Sequence, residues 1–186
     1  MSKVDLSIYD NSDFHVGASR WRVISWFLVQ AVLFKNPLIV SYSFKRFLLR
    51  SFGAKVGEGV IIKPGVRVKY PWLLEVGAHS WVGEGVWIDN LVPVKLGESV
   101  CLSQGAMLLT GNHNYSKASF DLITGSIELE DGVWIGAKAV VCPGVHAETH
   151  AVLAVGSVAS ENLEAYQIYR GNPAKKVRER VMLALD

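Results

Sequence analysis

Residues 82–108 read VGEGVWIDNLVPVKLGESVCLSQGAML, and the spacing of their aliphatic residues decides the fold. Val82 and Ile88 stand six apart, as do Leu96, Leu102 and Leu108. Six is neither the helical period nor the simple strand period, and it scatters successive aliphatics around a helix instead of lining one face. Working outward, the rungs continue as Val56, Ile62 and Val68 before Val76. They resume as Leu129, Ile135, Val141 and then Ala147, Leu153, Ala159. All fifteen positions are aliphatic, a result that chance gives about once in thirty thousand if half of all residues qualify. Four residues after each rung runs a second column, and twelve of its fifteen members are Ala, Ser or Val. The exceptions are Trp72, Asn112 and Leu163. Each series spans three hexads, and two residues are inserted before the second series and again before the third. Three short strands per turn with slack at the corners describe a triangular coil, and stacked coils bury an aliphatic column that one coil cannot bury alone. The expected fold class is an all-β solenoid, a parallel β-helix of about five coils over residues 56–164.

Composition agrees with a folded chain. Half of the 186 residues are apolar, 19% are charged, and 17 glycines without a three-residue period exclude collagen. A net charge of +2 offers no case for nucleic acid. Cys101 and Cys142 are too few for a disulfide framework or a four-cysteine zinc site and read as reduced cytosolic thiols. No apolar leader opens the chain, so a cytoplasmic protein is expected. The longest apolar run, Val23–Phe34, covers twelve residues, against about twenty needed to cross a bilayer.

Residues 1–55 form an arm. After a polar lead-in, RWRVISWFLVQAVLFK (20–35) and SYSFKRFLLRSFG (41–53) read as apolar helices with basic flanks, stopped by Pro37 and Gly53. They can cap the open first coil, a role that oversized Trp72 favours, or contact a membrane surface through residues 20–50. Residues 165–186 form an extension in which Asn172 and Pro173 predict a C-terminal helix from Ala174.

The repeat breaks at His113 and resumes at Leu129, leaving a protruding loop over 114–128. Loops of that length are commonly functional, and Asn112 just before it is a polar residue in the inward column. His113 is the sixth residue of its hexad and should point outward, as should Trp81, Trp87 and Trp134. Outward tryptophans on flat sheets imply a partner or a ligand groove. Asp89 and Asn90, one coil below His113, can hold an acceptor's hydroxyls or simply form a corner turn.

The strings VGEGVWIDNLVPVKLG, CLSQGAMLLTGNHNY and GVWIGAKAVVCPGV resemble the left-handed β-helix hexapeptide-repeat acyltransferases. They look closest to the colanic-acid-type exopolysaccharide acetyltransferases and the maltose and galactoside group. That resemblance implies a homotrimer with clefts between subunits, acetyl-coenzyme A as co-substrate, and a sugar or lipid-linked saccharide as acceptor. It implies His113 of TGNHNY as the general base, although Asn114 stands where many relatives carry Asp. Trp134, Gly136, Ala137, Ala154, Val155 and Ser160 match the cofactor-binding positions, and Lys175 the nucleotide-phosphate contact. Glu161 replaces a lysine common in relatives. The chemistry suits an imidazole, largely neutral at pH 7 and able to accept the attacking hydroxyl's proton. The rivals are a xenobiotic or free-sugar acetyltransferase, a γ-type carbonic anhydrase using His146 and His150, and a non-enzymatic trimeric scaffold; the three-histidine spacing needed for the metal enzyme is missing.

Overall fold

The computed structural model describes residues 3–183. Each coil gives one short strand to each of three parallel sheets. The first face stacks Lys55–Val56, Leu74–Val76, Val94–Leu96, Ile127–Leu129 and His146–Ala147. The second stacks Ile61–Ile62, Trp81–Val82, Cys101–Leu102, Trp134–Ile135, Val152–Leu153 and Gln167–Gly171. The third stacks Arg67–Val68, Trp87–Asp89, Met107–Leu109, Val140–Val141 and Val158–Ala159. Five coils are complete, and a sixth begins where Leu163 bridges Ala147.

The register is the one the six-residue period predicts. All fifteen rungs are buried, the most exposed being Val56 at 8%. The second column is buried at twelve positions and leaves the core at Trp72, Val92 and Asn112. Those three share the corner between the third and first faces, where the extra residues are inserted. Polar side chains close that longer corner. Asn90 accepts from the Tyr70 N–H at 3.0 Å and donates to the Tyr70 carbonyl at 2.7 Å. Thr110 Oγ1 donates to the Asp89 carbonyl at 2.9 Å and accepts from the Leu91 N–H at 2.8 Å. At another corner Gly59 holds φ +67°, and a Cβ there would lie 2.5 Å from the His79 ring stacked above it. Turn conformation and coil stacking both demand glycine.

The arm caps the first coil. Helix α1 (Arg20–Val29) starts at Ser19, whose hydroxyl accepts from the Arg22 N–H, and runs into a wider π turn over Gln30–Phe34. Helix α2 (Tyr42–Ser51) starts likewise at Ser41. The unpaired edge beneath them is satisfied by side chains. Trp26 Nε1 donates to the Val68 carbonyl at 2.7 Å, and Gln30 Oε1 accepts from the Val68 N–H at 2.6 Å. Lys45, Arg46 and Arg50 donate to the carbonyls of Lys63, Val60 and Val56. Burial pushes the fully enclosed Lys45 ammonium below the usual lysine range. Trp72 is half-buried at the corner and donates to the Val16 carbonyl of the lead-in at 2.6 Å.

One expectation is corrected here. The predicted C-terminal helix is instead a strand, Ala174–Glu179, antiparallel to Gln167–Gly171 around the cis Asn172–Pro173 bond. An N-cap signal is local, whereas the last coil presents an open sheet edge; pairing there satisfies a whole strand and leaves a charged outer edge, Lys175 to Glu179. The protruding segment expected at the break in the coils is built on a hairpin. The last coil residue before it is Thr110, and Gly111–His113 pairs antiparallel with Leu122–Thr124 to form a side hairpin before the coil resumes at Ile127.

Candidate functional site

The hairpin leaves the prism at the corner between the third and first faces and carries His113 at the outer, loop end of its first strand. Its register sets His113 opposite Leu122 and brings Phe120 back toward the imidazole. His113 Nδ1 lies 2.8 Å from the Phe120 carbonyl oxygen. A carbonyl only accepts, so Nδ1 carries the hydrogen and the neutral ring presents an unprotonated Nε2. The ring stacks on Phe120 at 4.5 Å and 9°, and Tyr9 of the lead-in meets it edge-on at 5.7 Å. Phe120 holds φ +53°, a left-handed conformation that a bulky residue adopts only when its surroundings impose it. The surrounding bonds are the Phe120 N–H to the Lys117 carbonyl, the Asn114 N–H to the Asp121 carbonyl, and the 2.8 Å Lys117–Asp121 ion pair.

Tyr9 and Phe120 carry no periodic signal, and sequence inspection missed both. The polar lead-in is tied to the loop by the Asp5 N–H donating to the Ala118 carbonyl at 2.9 Å. Beside the hairpin lies a cleft of about 450 Å³ lined by Asp10, Asp13, Phe14, Asp121 and Thr124.

The other expected residues sort by corner and face. Asp89 shares the hairpin's corner, half-shielded and ion-paired with Lys69 at 2.9 Å. Asn90 does not face a ligand: it is fully buried and both ends of its amide serve the Tyr70 backbone, so the turn alternative holds. Asn112 is not inward. It is exposed, with its side chain accepting from the His113 N–H at 2.8 Å. Thr110 takes the buried polar place instead, because the chain leaves the coil there.

Trp134 lies on the second face, across the prism from the hairpin's corner. It donates to Ser103 Oγ at 2.9 Å, and with Trp81 it walls a cleft of about 620 Å³ floored by Cys101 and Leu102. Burial raises the Cys101 thiol above the usual range. Gly136 and Ala154 point their N–H groups into the coil ladder, toward Leu153 and Tyr169 carbonyls, so neither amide is available to a ligand. Gly136 is glycine because a Cβ would sit 2.5 Å from the Val155 nitrogen of the next coil. Ala137 and exposed Val155 occupy the turns at the edge of this face. Ser160 is exposed after the third-face strand, and Lys175 on the terminal hairpin sits 3.7 Å from Glu161. Within one chain, therefore, His113 is not brought together with Trp134, Ala137, Val155 or Lys175.

The two histidines of the metal alternative, His146 and His150, have structural partners. His146 Nε2 is 2.8 Å from Glu130, and His150 stacks on Tyr166 at 4.8 Å. Among the described residues no group of three or more His, Cys, Asp or Glu is arranged to hold a metal.

Fold and site together define a hexapeptide-repeat solenoid with a histidine presented on a side hairpin. No protein-family model matches the chain. It is 35% identical over 177 residues to the "Putative colanic acid biosynthesis acetyltransferase WcaF" of Escherichia coli K12, covering 95% of this chain and 97% of that protein. The galactoside O-acetyltransferase of the same bacterium is 24% identical over 71% of this chain and 66% of its own length. Among solved structures, a hexapeptide-repeat acetyltransferase of Vibrio cholerae complexed with acetyl coenzyme A superposes with a TM-score of 0.77 at 20% identity, over 88% of this chain and 87% of that one. The chain belongs to the hexapeptide-repeat acetyltransferase family, and its coils are those of the left-handed parallel β-helix.

Proposed function

We propose that this acetyltransferase moves the acetyl group of acetyl-coenzyme A to a sugar hydroxyl during exopolysaccharide synthesis. The observation that carries the proposal is the Nδ1–H of His113 held at 2.8 Å by a backbone carbonyl, which leaves Nε2 as the acceptor a general base needs. Nε2 takes the hydroxyl proton as the sugar oxygen attacks the thioester carbonyl. The new C–O bond forms with an oxyanion, and collapse of that intermediate breaks the C–S bond. The imidazolium then returns its proton to the departing sulfur. Direct transfer leaves no acyl-enzyme, in keeping with Cys101, whose burial disfavours the nucleophilic thiolate.

The second-face cleft fits the cofactor's pantetheine arm in size and chemistry: about 620 Å³, aromatic walls at Trp81 and Trp134, and small turn residues at its edge. Ala137 and Val155 would supply backbone contacts. Lys175 would meet a phosphate by parting from Glu161, an exposed pair that holds weakly. Ser160 and Asp89 flank the hairpin's corner, and the Asp10–Asp13–Asp121 cleft offers carboxylates to an acceptor's hydroxyls.

His113 and this cleft lie on opposite sides of one prism, which accords with the homotrimer that the family resemblance implies, each cleft joining one copy's hairpin to the next copy's second face. A ring of three closes such head-to-tail contacts. The decisive experiment follows free thiol release from acetyl-coenzyme A with a panel of sugar acceptors, alongside polysaccharide O-acetyl content in a deletion strain. Turnover by wild type and loss with His113→Ala support the proposal; no turnover with any acceptor and unchanged O-acetylation refute it.

A further inference from the structure

Between Phe14 and Gly57 the chain contains no Asp or Glu and seven basic residues: Arg20, Arg22, Lys35, Lys45, Arg46, Arg50 and Lys55. That segment carries +7, while the remaining 12 basic and 17 acidic residues give −5, which together account for the net +2. Capping explains only its inner side. Trp26 and Phe34 are buried on the first coil, yet the outer side presents Trp21, Phe27, Val32, Leu38 and Phe47, each 61–85% exposed. No described residue covers them. Arg20 and Lys35, both exposed, stand at the two ends of this apolar helix. Arg46 and Arg50, hydrogen-bonded to backbone carbonyls, keep their charge, since a carbonyl neutralises nothing; Lys55 is paired with Glu75 at 2.7 Å, and the remaining arm cations leave this end of the solenoid with a positive excess.

We infer that this end docks on an anionic lipid surface, with Trp21, Phe27 and Leu38 entering the headgroup–acyl boundary and the basic ring facing the lipid phosphates. Charge decides against a second copy as the occupant: a symmetric contact would set two +7 bodies against each other. No described helix is long and apolar enough to cross a membrane, so the contact lies in the interface plane. The inference is independent of which hydroxyl is acetylated, although it would bring the enzyme to a lipid-linked acceptor.

The test is co-sedimentation of the full chain with phosphatidylcholine vesicles, with and without phosphatidylglycerol. Binding is expected only with phosphatidylglycerol and should weaken as salt rises and shortens the screening length. Trp21→Asp/Phe27→Asp should lower partitioning by about tenfold or more, while circular dichroism and the melting temperature stay at wild-type values because neither side chain packs in the core. Wild-type protein that stays in the supernatant with both vesicles overturns the inference. So does a folded double variant that sediments as well as wild type, or one that lowers the particle mass in vesicle-free ultracentrifugation, which would show a second copy on this face.

Discussion

Two variants that are each inactive should restore activity when assembled together. His113→Ala removes the proposed base from the hairpin, and Trp134→Glu places a like charge where we propose that the anionic cofactor lies on the second face. Both positions are outside the aliphatic column, so the coils survive. If each cleft joins the hairpin of one copy to the second face of the next, a mixed cleft works when the hairpin copy carries the Trp134 change and the following copy carries the His113 change. Random assembly of a one-to-one mixture gives that arrangement in about a quarter of clefts. Co-expression with two affinity tags, or mixing after partial denaturation, followed by thiol release from acetyl-coenzyme A, measures it. Recovery of about a quarter of wild-type turnover is expected, with each variant's own residual rate as baseline. No recovery in verified mixed assemblies would refute the shared cleft and require His113 and Trp134 to act without each other.

His113→Ala alone should lower kcat by about 10²- to 10⁴-fold, the usual contribution of a general base, with KM for acetyl-coenzyme A nearly unchanged because the proposed cofactor wall is on another face; steady-state kinetics decide it. Ile135→Ala, at a rung with no exposure, should destabilise the fold by about 2–5 kcal/mol through lost burial and a residual cavity, seen as a lower denaturant midpoint. Gly59→Ala should be destabilising although the change is small, because φ +67° and the His79 ring both oppose a Cβ; thermal melts compared with Gly85→Ala, where a Cβ meets nothing within 4 Å, separate conformation from clash. Since burial raises the Cys101 thiol, its thiolate forms only above the ordinary range. Alkylation by iodoacetamide should therefore be slow at neutral pH and still accelerating at about pH 9, where an ordinary thiol is levelling off; mass spectrometry of labelled protein checks this.

The solenoid was legible in the sequence because its determinant is repeated and local. Each rung, from Val56 to Ala159, packs on the rung about one turn away, so burial writes itself as a six-residue period that survives single exceptions. The break beside His113 was legible for a related reason: the six-residue count fails there. Elsewhere local signals misled. Asn172–Pro173 reads as a helix start, but an open sheet edge recruited the residues that follow; Asn112 sits at an inward position by count, but the chain turns out of the coil two residues earlier at Thr110. Glycine at 136 reads as room for a ligand and is in fact room for the next coil. Tertiary structure alone decided the tautomer of the neutral His113 ring, its packing against Phe120 and Tyr9 (the latter more than a hundred positions away), and the separation of the hairpin from the Trp134 face across the prism. Periodic burial needs only neighbours in the stack, whereas those arrangements arise from single contacts between distant segments, which leave no repeating mark on the chain.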